Sequence, residues 1–188
     1  FFRKQWNVAL GERIERIHLN REARIFRGLD HEDLLSRLPG ALFRGSEAQA
    51  KQMLFAFEGE GPLWLGIHLG MSGRLSWADP ALVPAKHDHC VLYCQSAALV
   101  FSDYRKFGRV LWAVGPEKPK WWTSLPPPVL SEGFTREALA AFLRRRAKAP
   151  IKAVLLMQER FPGIGNWMAD EILWRARIRP DTAAGAIT

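Results

Sequence analysis

Apolar and polar positions follow two different rhythms along this chain. From about residue 12 to residue 114 the apolar residues come in short runs, separated by turn-forming residues. The runs cover 41–45, 52–58, 63–69, 74–77, 90–95, 98–102 and 109–114. Residues 12–19 alternate in the same way through Ile14, Ile17 and Leu19. Many short, regularly interrupted strands predict a β-sandwich or barrel. Two short helices are expected among them. Residues 1–10 place Phe2, Trp6 and Leu10 on one helical face, with Gly11 as the stop. Asp30 to Leu38 forms the second, capped by Asp30 and ended by Pro39-Gly40.

A proline-rich stretch without a period follows and reads as a linker over residues 117–130. The rhythm beyond it is helical. Thr135 is a candidate N-cap, Leu139, Phe142 and Leu143 form one stripe, and Arg144, Arg145 and Arg146 crowd the C-terminal end, where cations suit the helix dipole. Pro150 opens a second helix to about Glu159, and a third runs from Trp167 to Arg177 before Pro180. The expected class is α+β. An N-terminal β-sandwich with an N-terminal helix fills 1–116, the linker 117–130, and a helical domain 131–188.

Composition narrows the function classes. A chain of 188 residues with 48% hydrophobic residues can bury a substantial core. No apolar run approaches the roughly 18 residues of a membrane span. Arg3, Lys4 and Gln5 interrupt the only candidate leader, so a cytoplasmic, nucleoid-associated protein that touches no membrane is expected. Cys90 and Cys94 lack a second ligand pair and read as reduced, buried thiols on one sheet face. No cofactor is expected within residues 1–188. The net charge of +8 suggests a polyanionic partner. Residues 131–188 hold ten Lys+Arg against six Asp+Glu, about twice the positive density of the remainder.

The densest chemical signal is Phe161-Pro162-Gly163-Ile164-Gly165-Asn166-Trp167-Met168-Ala169-Asp170-Glu171. Its glycines allow close backbone approach to a bulky anion. Asn166 is a candidate N-cap, and the positive end of the following helix suits a phosphate. Asp170 and Glu171 fall in its early turns. The same residues also fit a plain turn between two packed helices.

Leu69-Gly70-Met71-Ser72-Gly73, Lys86-His87-Asp88-His89, Asp103-Tyr104-Arg105-Lys106-Phe107-Gly108 and Ile151-Lys152 precede this segment. Five motifs in this order, covering about Phe1 to Pro180, resemble the formamidopyrimidine-DNA glycosylase / endonuclease VIII family. Asn166-Trp167 is similar to the branch that includes plant and fungal enzymes. The resemblance implies a helix-two-turn-helix unit in the helical domain and DNA held in the cleft between domains. It implies base-excision repair: removal of a damaged base by a DNA glycosylase with AP lyase activity that also cleaves at the abasic site. The partner is duplex DNA with a damaged base or an abasic site, bound by a monomer.

Such chemistry takes a base out of the stack, and the vacated space must be filled. The resemblance makes Met71 the filler, Phe107 the ring between base pairs, and Arg105 the partner of the widowed base. Read without it, Met71 and Phe107 are core and Arg105 is a surface charge. His68, Lys51, Lys106, Lys152 and Asn166 are candidate phosphate donors. Lys51, Lys152 and Glu171 are carried as supporting catalytic residues. Lys51 is otherwise a solvated edge charge and His68 a satisfied half-buried residue. Lys152, near a helix start, suggests a nearby anion. His87 and His89 read as hydrogen-bonding residues at a strand start, with no third metal ligand apparent.

In the resembling family an N-terminal proline amine attacks the sugar C1′ and forms a Schiff base, with the adjacent glutamate shuttling protons. Here the sequence opens Phe1-Phe2-Arg3-Lys4, and the family's terminal zinc finger, or its metal-free equivalent, has no counterpart before Thr188. A longer native chain is therefore expected. The alternative function is a damaged-DNA-binding protein of the same fold without chemistry. A more distant one is an RNA- or ribosome-associated module, which would have no use for a void filler.

Overall fold

The computed structural model describes residues 2–187. The chain divides into two compact units, one ending at Thr123 and one beginning at Ser124.

The first unit opens with α1 (Phe2–Gln5), which continues as a 3-10 turn over Trp6–Ala9. The expected single helix is thus corrected. The tighter turn, with three residues per repeat, points Trp6 and Ala9 inward together and leaves Leu10 43% exposed. Trp6 is fully buried, packs on Phe55 at 4.7 Å between ring centroids, and donates its indole N–H to the Ser76 and Val100 carbonyls. One residue therefore ties the N-terminal segment to both sheets.

Eight strands follow: β1 (Arg16–Leu19), β2 (Leu42–Gln49), β3 (Gln52–Glu58), β4 (Pro62–His68), β5 (Arg74–Ala78), β6 (Asp88–Tyr93), β7 (Ala98–Ser102) and β8 (Arg109–Val114). They form two antiparallel four-stranded sheets, ordered β1-β6-β7-β5 and β2-β3-β4-β8. Phe43, Phe55, Phe57, Leu65 and Ile67 of one sheet share a core with Leu75, Cys90, Leu92, Leu99 and Phe101 of the other. This is the sandwich the apolar runs call for, with alternate residues turned inward. Helix α2 (His31–Arg37) is capped as expected, the Asp30 carboxylate accepting the Asp33 N–H at 3.0 Å.

The proline-rich segment is partly structured. Its residues Lys120–Thr123 form α3. Trp121 lies over Gly66 of β4, where a Cβ would come within 2.5 Å of the indole. The close approach of a ring to the strand is what requires glycine there.

The second unit holds α4 (Arg136–Arg145), α5 (Ile151–Leu155) and α6 (Asn166–Ala176). Thr135 caps α4 through its hydroxyl. Phe142, Leu143, Val154, Leu155, Phe161, Ile164, Ala169 and Leu173 are its core. Helix α5 ends at Leu155, four residues short of the expected Glu159. Gln158 is used otherwise: its amide donates to the Leu156 and Ile164 carbonyls and accepts the Gly163 N–H. That clamp shapes the turn into α6, and Gly163 supplies its positive φ of 93°.

Candidate nucleic-acid interface

Two loops pass from one sheet to the other at the same end of the sandwich. Residues 69–73 join β4 to β5, and residues 103–108 join β7 to β8. They touch through backbone. Gly70 has φ 63°, and a Cβ on it would lie 2.6 Å from the Phe107 carbonyl carbon. Gly108 is equally tight, with a would-be Cβ 2.8 Å from the Phe101 ring and 3.0 Å from the His68 carbonyl oxygen.

Asp103 joins the loops. It is 1% exposed. One carboxylate oxygen accepts the Ser72 hydroxyl at 2.5 Å and the Arg105 N–H at 3.2 Å, and the other accepts the Gly108 N–H at 2.7 Å. Burial pushes this carboxyl up, but the Ser72 hydroxyl and the backbone N–H donors more than offset it, leaving the group below its ordinary value. A buried carboxylate is tolerated because it is fully hydrogen-bonded. The Asp103 carbonyl accepts from His89 Nε2 at 2.9 Å, and Asn20 contacts the other ring nitrogen at 3.3 Å. His89 is thus a fully buried structural residue.

The side chains that this scaffold turns outward are those singled out in the sequence. Met71 is 75% exposed and Phe107 45% exposed. The Arg105 guanidinium stacks 4.8 Å from the Phe107 ring centroid. Lys106 is exposed and adopts a positive φ of 57°, a strained conformation for a non-glycine residue. The reading of Met71 and Phe107 as core is not what the structure has.

His68 closes β4 just before these loops, beside Gln52 of β3. Burial, and then the nearby Lys51 charge, depress its pKa below the ordinary 6.5. The Gly70 N–H donates to Nδ1 at 3.0 Å, so the neutral ring carries its proton on Nε2 and can donate there. Between its depressed folded value and 6.5, the unfolded chain binds a proton that the folded chain does not. Stability should therefore fall as pH drops through that window. Thermal melts of wild type and His68→Gln across pH 5 to 7.5 are expected to diverge on the acid side, the wild type losing more; parallel curves would contradict the assignment.

Lys51 sits in the β2–β3 turn. It borders a cavity of about 450 Å³ with Gly70, Phe2, Arg3 and Lys4. A second cavity of about 500 Å³ is lined by Phe2, Met71, Ser72, Asp103 and Tyr104. The start of α1 therefore lies beside both the Met71 loop and Lys51.

In the second unit, Gly165 rather than Asn166 is the N-cap of α6, and Asn166 is its first helical residue, exposed and not used in capping. Asp170 and Glu171 lie in its second turn, among the early turns as expected. Asp170 pairs with Lys152 at 2.8 Å, so the anion that Lys152 called for is supplied by the chain itself. Glu171 pairs with Arg175 one turn on. The structure thus groups His68, Lys51, Met71, Arg105, Lys106 and Phe107 in the first unit, and Lys152, Asn166 and Glu171 in the second.

Among the described residues no three His, Cys, Asp or Glu side chains stand close enough to hold a metal ion. Cys90 and Cys94 are buried free thiols, and burial pushes both up to about 12. Neither is available as a thiolate ligand at neutral pH. No helix among the described residues is long and apolar enough to cross a membrane.

Comparison with known proteins decides the family. The formamidopyrimidine-DNA glycosylase N-terminal domain matches residues 2–110, and the H2TH domain of the same enzymes matches residues 125–188. The chain belongs to the formamidopyrimidine-DNA glycosylase family. It is 41% identical to the formamidopyrimidine-DNA glycosylase of Paracoccus denitrificans over 167 residues, covering 83% of this chain and 58% of the relative. It is 39% identical to that of Desulfitobacterium hafniense over 183 residues, covering 95% of this chain and 65% of the relative. The chain thus spans about three fifths of the length of these curated relatives.

Among solved structures, a MutM complex with DNA containing carbocyclic 8-oxo-G superposes with a TM-score of 0.88 at 26% identity, covering 100% of this chain and 70% of that one. A complex of Lactococcus lactis Fpg with DNA containing an abasic site gives 0.87 at 26% identity, covering 100% and 68%.

Proposed function

We propose that this protein serves base-excision repair as a DNA glycosylase with AP lyase activity, acting on oxidised or otherwise damaged bases in duplex DNA. The observation that carries the reading is the exposed set Met71, Arg105 and Phe107 on two crossover loops locked together through Asp103. Large apolar side chains held out in water by a rigid, buried polar scaffold suit insertion into a base stack. Met71 fills the space of the extruded base, Phe107 enters the stack, and Arg105 faces the widowed base. Neutral His68 donates to a backbone phosphate through Nε2, and Asn166 contacts the backbone from the start of α6.

The chemical step in this reading is attack of an amine on the sugar C1′, which breaks the bond to the damaged base; the C1′–O4′ bond then breaks as the sugar opens to a Schiff base, the protons lost by the amine passing to the departing base and to O4′. The cavity bordered by Phe2, Lys51 and Gly70 is the candidate place for such an amine. The Lys51 ammonium favours the unprotonated state of an amine brought beside it. Lys152 and Glu171 serve as supporting residues within the second unit, each held in its ion pair. The protein works as a monomer in the cytoplasm, on the nucleoid, with no cofactor held by residues 1–188. Asn166-Trp167 is what supports a place in the branch that includes plant and fungal enzymes.

Borohydride trapping of the native full-length protein on lesion-bearing duplexes tests the reading. A covalent protein–DNA adduct is expected. Lesion-selective binding without an adduct would leave a damaged-DNA-binding protein of the same fold, without chemistry.

A further inference from the structure

We infer that Arg24, Arg27, Lys106 and Arg109 form a phosphate-binding cleft that grips a backbone phosphate of the duplex flanking the Phe107 ring. The inference rests on the proposed DNA-binding role and adds to it a subsite of which the sequence motifs mark only Lys106 among the cations.

The cleft measures about 250 Å³ and is lined by these four cations with Phe107 and Gly108. Its composition is one-sided, since among the described residues no acidic side chain borders it. Arg24 opens the 3-10 turn Arg24–Phe26 and Arg27 follows it, on either side of Ile25 and Phe26, which are 1% and 2% exposed. Burying that pair pins the turn and leaves both flanking arginines outside. The Arg24 guanidinium lies 6.0 Å from the Phe107 ring centroid, on a ring that Arg105 also contacts. Arg109 begins β8 directly after the loop. The positive φ of Lys106 falls in the middle of this cluster.

Elsewhere the basic side chains of this protein are often neutralised. Arg44 pairs with Glu58, and Lys118 with Glu47. Among the described residues none of Arg24, Arg27, Lys106 and Arg109 enters an ion pair. The acid closest in sequence to Lys106 is Asp103, and both of its oxygens are turned inward onto Ser72, Arg105 and Gly108. Four like charges around one cleft repel one another unless an anion enters. A phosphodiester fits that need, and guanidinium forks match its oxygens. Phe107 beside the cleft sets the register: with the ring between base pairs, a phosphate of the same step lies within reach of its rim.

The test uses undamaged duplex and duplex with an abasic-site analogue, with affinity measured from low to moderate salt. Arg24→Gln/Arg27→Gln should lower the salt slope of both affinities by about 0.9 for each phosphate that is no longer neutralised. It should leave the ratio between the two duplexes unchanged. Arg44→Gln/Lys118→Gln removes the same charge from ion-paired sites and should keep the wild-type slope. The cleft is refuted if the first pair keeps the wild-type slope, or if both pairs lower it equally. Wild type that binds duplex without preferring the abasic analogue overturns the repair reading but not the cleft. Wild type that binds neither duplex overturns both.

Discussion

Phe107→Ala is expected to weaken binding to a duplex carrying an abasic-site analogue by roughly 5- to 150-fold, the range set by about 1–3 kcal/mol of base–aromatic stacking. Binding to undamaged duplex should change little. The ring is 45% exposed, so its removal takes little from the core. Its energetic value is realised only when a base step opens to receive it. Arg105→Ala should act differently, reducing discrimination among the four bases opposite the lesion, because a guanidinium can pair with an orphaned base edge. Asn166→Ala is the control. A backbone contact should weaken binding to all duplexes alike. Equal proportional losses for Phe107→Ala and Asn166→Ala would return Phe107 to the role of a loop-stabilising aromatic.

Gly70→Ala is expected to cost both stability and lesion preference. Gly70 adopts φ 63°, and the added methyl would lie 2.6 Å from the Phe107 carbonyl carbon and 2.7 Å from its oxygen. The left-handed backbone alone costs an alanine about 1–2 kcal/mol. The clash adds about 1–3 kcal/mol of overpacking and pushes the Met71 loop away from the Phe107 loop. Gly28→Ala separates the two effects. Gly28 has φ 79° with nothing within 4 Å of a would-be Cβ, so it carries the backbone cost without the clash. Gly70→Ala should therefore melt lower than Gly28→Ala, and only Gly70→Ala should lose preference for the abasic duplex. Equal melting and equal preference would mean that the two loops do not act as a unit.

Much of the sandwich was legible because burial imposes a simple pattern on a strand. The seven apolar runs between residues 41 and 114 each lie on an observed strand. The Asp30 and Thr135 caps were readable for a similarly local reason, since a capping oxygen needs only a suitable residue three positions before its donor. The wedge candidates were legible as motifs, but not the reason they cohere. Asp103 is one acid in a polar loop until folding brings Ser72 of the other crossover to it.

What escaped was set by tertiary placement. Arg24 and Arg27 follow no period that marks them, and they meet Lys106 and Arg109 only once β8 is laid down. Lys152 read as a cation awaiting a phosphate, because its partner Asp170 lies a turn and a helix away in the sequence. Gly66 within an apolar strand was a usable signal of close approach, and Trp121 of the supposed linker is what approaches it.

The central claim is that the Met71 and Phe107 loops enter the duplex at a vacated base. The most direct measurement places 2-aminopurine next to an abasic-site analogue and follows its fluorescence as the protein binds, with binding itself monitored by anisotropy. Insertion unstacks the neighbouring base. Fluorescence should therefore rise with wild type and rise much less with Met71→Ala/Phe107→Ala at equal saturation. A saturated wild-type complex whose 2-aminopurine signal stays at the value of free duplex would contradict the claim.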